Sequence, residues 1–176
     1  MREADSFCDF EELAYAESLS KWEEKLFLTN GRIFMEVGRN GHEGGVYADL
    51  KKESYFLEHY NGIFVYSYHT HIQKRHLRTC PEPPSFEDFR ADHRFRKRAA
   101  KRGRKVISRI IEKNGIWQYS WTSKIPYPPA NLDEAIQDVM SPTDTLDEQI
   151  ARLAAVYKQF EVQHISFHKK RIIDLL

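Results

Sequence analysis

The spacing of hydrophobic and polar positions changes repeatedly along this chain. Residues 9–22, DFEELAYAESLSKW, place Phe10, Leu13, Tyr15 or Ala16, and Leu19 at helical intervals, with Asp9 suited to cap the start. The spacing then alternates on either side of Asn30-Gly31, a pair that tolerates the positive φ of a type I′ turn. Strands over 23–29 and 32–37 joined by a two-residue loop are therefore predicted. That loop pairs Thr29 with Arg32, Leu28 with Ile33, and so on to Glu24 with Val37. Paired residues share a face. Leu26, Leu28, Ile33, Met35 and Val37 then line one face with Glu24 at its edge, and Phe27, Phe34, Lys25 and Glu36 line the other.

Residues 38–45, GRNGHEGG, read as a glycine-rich turn, and VYADL and KKESYFLEHY as short strands or a strand with a loop. After Asn61-Gly62, IFVYSYHTH is the most strand-like run, and its alternation puts His69 and His71 on one face with Ile63, Val65 and Ser67. Pro81, Pro83 and Pro84 end the loop that follows. Ser85 then caps a helix predicted to reach about Gly103, with Glu87 and Asp88 in the first turn, where the macrodipole favours carboxylates. VISRIIEKNGIWQYSW is a second hairpin, turning at Asn114-Gly115. IPYPPAN, 125–131, is a stiff connector and a boundary. Helices over 132–140 and 143–160 follow, the second opened by a Thr145/Glu148 capping box. Leu146, Ile150, Leu153, Tyr157 and Phe160 give it a narrow apolar seam. The expected class is α/β, a mixed β-sheet flanked by helices with a C-terminal helical extension. Residues 1–125 form the main domain, and 126–176 the linker and extension.

Composition narrows the setting. The 176 residues are 41% hydrophobic, 13% aromatic and 30% charged, which suits one domain with a real core and a well-solvated surface. No apolar run approaches the roughly 20 residues a membrane span needs. The polar start, Met1-Arg2-Glu3-Ala4-Asp5, lacks a signal-peptide stretch. Cys8 and Cys80 make no metal-knuckle spacing. A reducing, cytoplasmic compartment with no membrane partner is the expectation. The net charge of +1 hides an asymmetry, because residues 90–105 hold nine Arg or Lys against one Asp. Arg94, Arg96, Lys97, Arg98, Lys101 and Arg102 are thus candidate contacts to nucleic-acid phosphates or an acidic partner. Only Phe95 interleaves the central basic residues, so base stacking is not expected and nucleic acid is not favoured. The helical seam and the apolar end RIIDLL suit a homodimer or a partner at the C-terminal helices.

The candidate chemistry centres on His69 and His71. Two histidines at i and i+2 on a strand point the same way, about 6–7 Å apart from the strand rise, which suits two ligands of one ion. A catalytic zinc keeps three protein ligands and an open position for water. Asp88, one helical turn past Ser85 on the same helix face, is the candidate third ligand. The water needs a base, and a carboxylate on an apolar face has the raised pKa that such a base requires. Glu24 fits, and Ser85 is placed to donate a hydrogen bond to the oxyanion that forms.

Taken together, His69-Thr70-His71, Ser85-x-x-Asp88 and an upstream glutamate after a first helix resemble the JAMM (MPN+) zinc metalloproteases over roughly residues 9–123. The resemblance implies JAMM/cytidine-deaminase-like layering in an MPN (JAB) domain. It makes His69, His71 and Asp88 the zinc ligands, Glu24 the residue that activates water, and Ser85 the group that steadies the tetrahedral intermediate. It also implies a hydrolase of peptide or isopeptide bonds, acting on a protein or peptide such as a ubiquitin-like modifier. Glu23, Glu36 and Glu43 are alternatives for the base, Glu43 the strongest of them because it lies in the glycine-rich turn. The chain departs from the family in having Ile72 where Pro is common, and thirteen residues between His71 and Ser85. That long loop is a candidate lid or substrate-specific wall.

Overall fold

The structure is a computed structural model and describes residues 2–4, 6–40, 46–72, 80–120, 127–162 and 164–170. In chain order the elements are β1 (Arg2–Glu3), α1 (Phe7–Lys21), β2 (Lys25–Thr29), β3 (Ile33–Asn40), β4 (Val46–Ala48), α2 (Leu50–His59) and β5 (Phe64–Thr70). They continue with α3 (Phe86–Ala100), β6 (Lys105–Glu112), β7 (Gly115–Ser120), α4 (Leu132–Val139), α5 (Leu146–Gln159) and β8 (His164–Lys169). The eight strands make one mixed sheet ordered β1-β3-β2-β5-β6-β7-β8, with β4 also on β3. Among the described strands only β5 and β6 run parallel, joined by the α3 crossover. The molecule is thus α/β, a mixed sheet flanked by helices.

Strand alternation sorts the core into two faces. Phe27, Tyr68, Ile111 and Ile116 meet α1 through Phe10, Ala14 and Tyr15. On the other face Leu28, Val65 and Val106 pack on Phe56 and Leu57 of α2 and Phe95 and Ala99 of α3. Ile110, Trp117 and Tyr119 continue that layer against Phe89 of α3, Leu132 and Ile136 of α4, and Leu153, Val156 and Tyr157 of α5. His69 has the parity of Val65, so its side chain belongs to the α3 face.

Several local expectations are corrected. Helix α1 starts two residues early because Ser6, not Asp9, is the cap, its hydroxyl accepting the Asp9 amide. Leu13 is half exposed at 51% while Ala14 and Tyr15 are buried, which turns the helix from the expected stripe. The first hairpin does not use a two-residue turn, since Thr29 pairs Phe34 and Leu28 pairs Met35. Its loop is closed by side chains: Asn30 Oδ1 accepts from both the Arg32 and Ile33 amides, and only Gly31 takes positive φ (98°). A two-residue slip preserves side-chain parity, so the faces survive, and an irregularity between Leu26 and Phe27 then brings Leu26 opposite Gly38. Residues 50–59 are a helix rather than strand and loop. Asp49 caps it by accepting the Lys51 and Lys52 amides, and Glu53, Phe56 and Leu57 form its buried side. The second hairpin turns at Lys113-Asn114, since Glu112 pairs Gly115.

The segment read as a linker and helical extension supplies α4 and α5, and its last strand, β8, pairs antiparallel with β7. Both capping boxes, Ser85/Asp88 and Thr145/Glu148, are formed. Glu43, most of the loop 72–84, and RIIDLL lie outside the described residues. No helix among the described residues is long and apolar enough to cross a membrane.

Candidate metal centre

The carboxyl ends of the parallel strands are where open α/β sheets place their sites. His69 is the penultimate residue of β5 and lies between Leu26 of β2 and Ile110 of β6. His71 follows the strand, yet its amide still donates to the Ile111 carbonyl at 2.9 Å, which extends the ladder and keeps the two rings on one side. Because α3 crosses back over that face, its first turn arrives above the strand end. His69, His71 and Asp88 each offer one ligand atom, all within 4.8 Å of one another, a group that could hold a metal ion.

The hydrogen bonds decide which atoms are available. His71 Nδ1 lies 3.0 Å from the Glu82 carbonyl. A carbonyl only accepts, so Nδ1 carries the proton and Nε2 presents a lone pair. His69 Nε2 lies 2.7 Å from His71 Nε2 and 3.2 Å from Asp88 Oδ1. With His71 Nε2 and Asp88 Oδ1 both acceptors, His69 Nε2 is the donor to them, and these three atoms are the ones that would face a cation. Asp88 divides its oxygens. Oδ2 accepts both the amide and the hydroxyl of Ser85 at 2.7 Å, while Oδ1 is left for His69. The capping box therefore orients the ligand.

Charge follows the same geometry. Burial pulls the Asp88 carboxyl upward, but His69, its hydrogen bond and His71 hold it well below the usual carboxylate range. Burial lowers His69, but the Asp88 charge and hydrogen bond, with the Glu24 charge, raise it overall. His71 is lowered by burial and by His69, against the opposing pull of Asp88 and Glu24. The two imidazoles are thus shifted in opposite directions, His69 toward holding a proton and His71 away from it.

Glu24 joins this group from the residue just before β2. Leu26 pairs His69 in the antiparallel ladder, so two residues back Glu24 comes opposite His71 on the same face. Glu24, His71 and Ser85 line one cavity of about 570 Å³, together with Ile136 of α4 and Met140 just after it. Glu23 is not on that wall, and its Oε2 is buried without a hydrogen-bond partner. Glu36 is turned to the other face, paired with buried Lys25. The Ser85 hydroxyl lies on the cavity but spends its proton on Asp88.

The six candidate basic residues of α3 and the turn after it divide in two. Arg96 pairs with Asp92, Arg98 with Glu53, and Arg102 with Glu58. Arg94, Lys97 and Lys101 are exposed, on helical positions that share a face.

Three contributors had no local sequence signal. Asp133 of α4 accepts the Phe86 amide through Oδ1 at 2.7 Å and lines the cavity, tying the C-terminal segment to the start of α3. Tyr157 of α5 donates to the Pro84 carbonyl at 2.6 Å. Glu112, the last residue of β6, accepts the Glu82 amide at 2.6 Å. Each acts across a long sequence separation, which no short motif records. No family model matches this chain, and neither does any curated protein or solved structure compared with it.

Proposed function

We propose that this chain is a zinc-dependent hydrolase of peptide or isopeptide bonds, of the JAMM (MPN+) type. One observation carries the reading: His69, His71 and Asp88 converge to within 4.8 Å at the edge of a cavity that Glu24 also lines. Two imidazole nitrogens and one carboxylate oxygen are a donor set that suits zinc and leaves a fourth position for water. Zinc bound there would lower the pKa of that water toward 7 and polarise the scissile carbonyl.

The remaining steps fall to the chain's own residues. Glu24 accepts the proton of the attacking water and returns it to the leaving amine, so that water adds across the broken C–N bond. Ser85 turns its hydroxyl from Asp88 to the developing oxyanion, and Asp88 Oδ2 keeps the Ser85 amide as partner while it does so. Ile136 and Met140 give the cavity an apolar wall for the substrate residue beside the scissile bond. A ubiquitin-like modifier or another peptide conjugate is the proposed substrate class, in a cytoplasmic setting.

Metal analysis of tag-free protein tests this directly. About one zinc per chain is expected, lost in both His69→Ala and Asp88→Ala, with zinc-dependent cleavage of isopeptide-linked or C-terminally extended ubiquitin-like substrates. Metal-free protein that cleaves none of them after zinc is added would refute it. The second reading, a nucleic-acid or acidic-partner module, keeps Arg94, Lys97 and Lys101 of its six candidate contacts, since Arg96, Arg98 and Arg102 are paired within the chain. Three phosphate contacts on duplex DNA imply a log–log salt slope of only about −2.7.

A further inference from the structure

Beyond the ligands themselves, the end of β6 holds a buried carboxylate that the proposed reaction does not use. Glu112 has no exposed surface. Its Oε2 accepts the Glu82 amide at 2.6 Å, and the Asn114 side chain is its other polar neighbour. Glu82 in turn offers its carbonyl to His71 Nδ1 at 3.0 Å. The adjoining residue Ile111 accepts the His71 backbone amide at 2.9 Å. Two consecutive residues of β6 therefore govern His71, one through its main chain and the other, by way of Glu82, through its ring.

We propose that Glu112 is a positioning residue for His71: by holding the Glu82 amide it aims the Glu82 carbonyl at Nδ1 and so fixes the tautomer that leaves Nε2 free for a metal ion. The bonds already present in residues 80–85 explain why a clamp is needed at this point. Tyr157 fastens Pro84, and Ser85 is fixed by the α3 cap, but Glu82 lies two residues further from that anchorage. Pro81, Pro83 and Pro84 lack amides, so the Glu82 N–H is the one main-chain donor between Pro81 and Pro84 by which the segment can be held. Glu112 takes that donor. Burial pushes the Glu112 carboxyl up to about 8, so at neutral pH it serves as a largely uncharged acceptor near the ligand group. Partners that orient a metal-binding histidine typically contribute about 10–100-fold to metal affinity.

This inference rests on the metal reading for its purpose but not for its test. Nitrogen-15 shifts of His71, measured on the full metal-free chain at a fixed neutral pH, report the tautomer directly. The wild type and Glu112→Gln, which keeps an acceptor, should show the Nδ1–H form. Glu112→Leu should show a mixture and bind zinc about 10–100-fold more weakly, as cobalt(II) spectra of the substituted site would also register. Glu82→Pro removes the same hydrogen bond from its other end, within a segment already rich in proline. If Glu112→Leu fails to fold, that variant carries the test. The double variant should lose no more metal affinity than the stronger single one. A folded Glu112→Leu or Glu82→Pro protein with the wild-type tautomer and affinity would overturn the proposal. Wild-type protein that binds no metal yet shows the Glu112-dependent tautomer would sink the hydrolase reading and leave this one standing.

Discussion

Asp88 and Asp92 lie one turn apart on α3 and face the same side of the sheet, yet they are partnered in opposite ways. Asp92 is 2% exposed at its side chain and meets Arg96 and the Ser108 hydroxyl. A guanidinium does not give up its proton or its place, so that pair is closed. Asp88 is 15% exposed and meets two imidazoles, of which one holds a removable proton and the other presents a lone pair. Burial outweighs Arg96 and raises Asp92, whereas the histidines hold Asp88 down. The difference separates an internal brace from a candidate cation site on one helix: a permanent cation fills the first, and the second has only imidazole partners, whose protons a metal ion could displace.

The sharpest way to break this comparison is to remove each carboxylate in turn. Asp88→Ala should lose the metal and all metal-dependent hydrolysis while the chain stays folded, read by metal content and circular dichroism. Next in size is Glu24→Gln, which leaves all three ligands in place. It should keep the wild-type metal content and lose about 10²–10⁴-fold in kcat. A Glu24→Gln protein of normal activity would return the role of base to Glu43, since Glu23 and Glu36 do not line the cavity. Asp92→Ala should do the reverse of Asp88→Ala. Arg96 would lose its carboxylate and keep only the Val106 carbonyl and a long contact to Ser108, at a cost of about 3 kcal/mol in urea unfolding, with metal content unchanged. If Asp92→Ala emptied the metal site, the division between brace and site would be wrong.

The site was more legible than the scaffold around it, for a physical reason. His69, His71 and Asp88 are set by local rules: alternation puts both rings on one face, and a serine cap places the carboxylate one turn into the helix. Even the misjudged hairpin kept its faces, because a slip of two residues does not change parity. Helix α2 was missed because KKESYFLEHY carries only one turn of buried apolar residues, Phe56 and Leu57, beside three exposed or half-exposed ring side chains. The signal that identifies it is the Asp49 cap. Strand β8 is short, and its partner β7 lies more than forty residues upstream, a pairing decided by tertiary packing. Glu112 and Asp133 matter through main-chain amides at positions 82 and 86, so nothing near them in the sequence announces a role.

The smallest expected effect is on pH, and it separates the two carboxylates without mutating either. In metal-free protein His69 is raised, so its bound proton stabilises the folded chain fully below the ordinary imidazole value of about 6.5, and that contribution is lost as pH rises through the folded value. Asp88 is lowered, so its contribution is present above about 3.9 and is lost as pH falls toward the folded value. The His69–Asp88 pair therefore stabilises most between those two limits. His71 is lowered and acts in the opposite sense to His69: its neutral form is favoured above the ordinary imidazole value, and that contribution is lost as pH falls. Zinc reverses the upper limit, because it must displace the His69 proton and binds more tightly as that proton leaves, by about tenfold per pH unit for one proton. Melting curves between pH 6 and 8 should thus show the zinc-dependent rise in Tm growing with pH. Arg96 does not titrate in this range, so the Asp92 brace adds nothing to that slope. A zinc effect equal at pH 6 and pH 8 would mean that the metal does not compete with a proton on His69, and that the centre is held by other atoms.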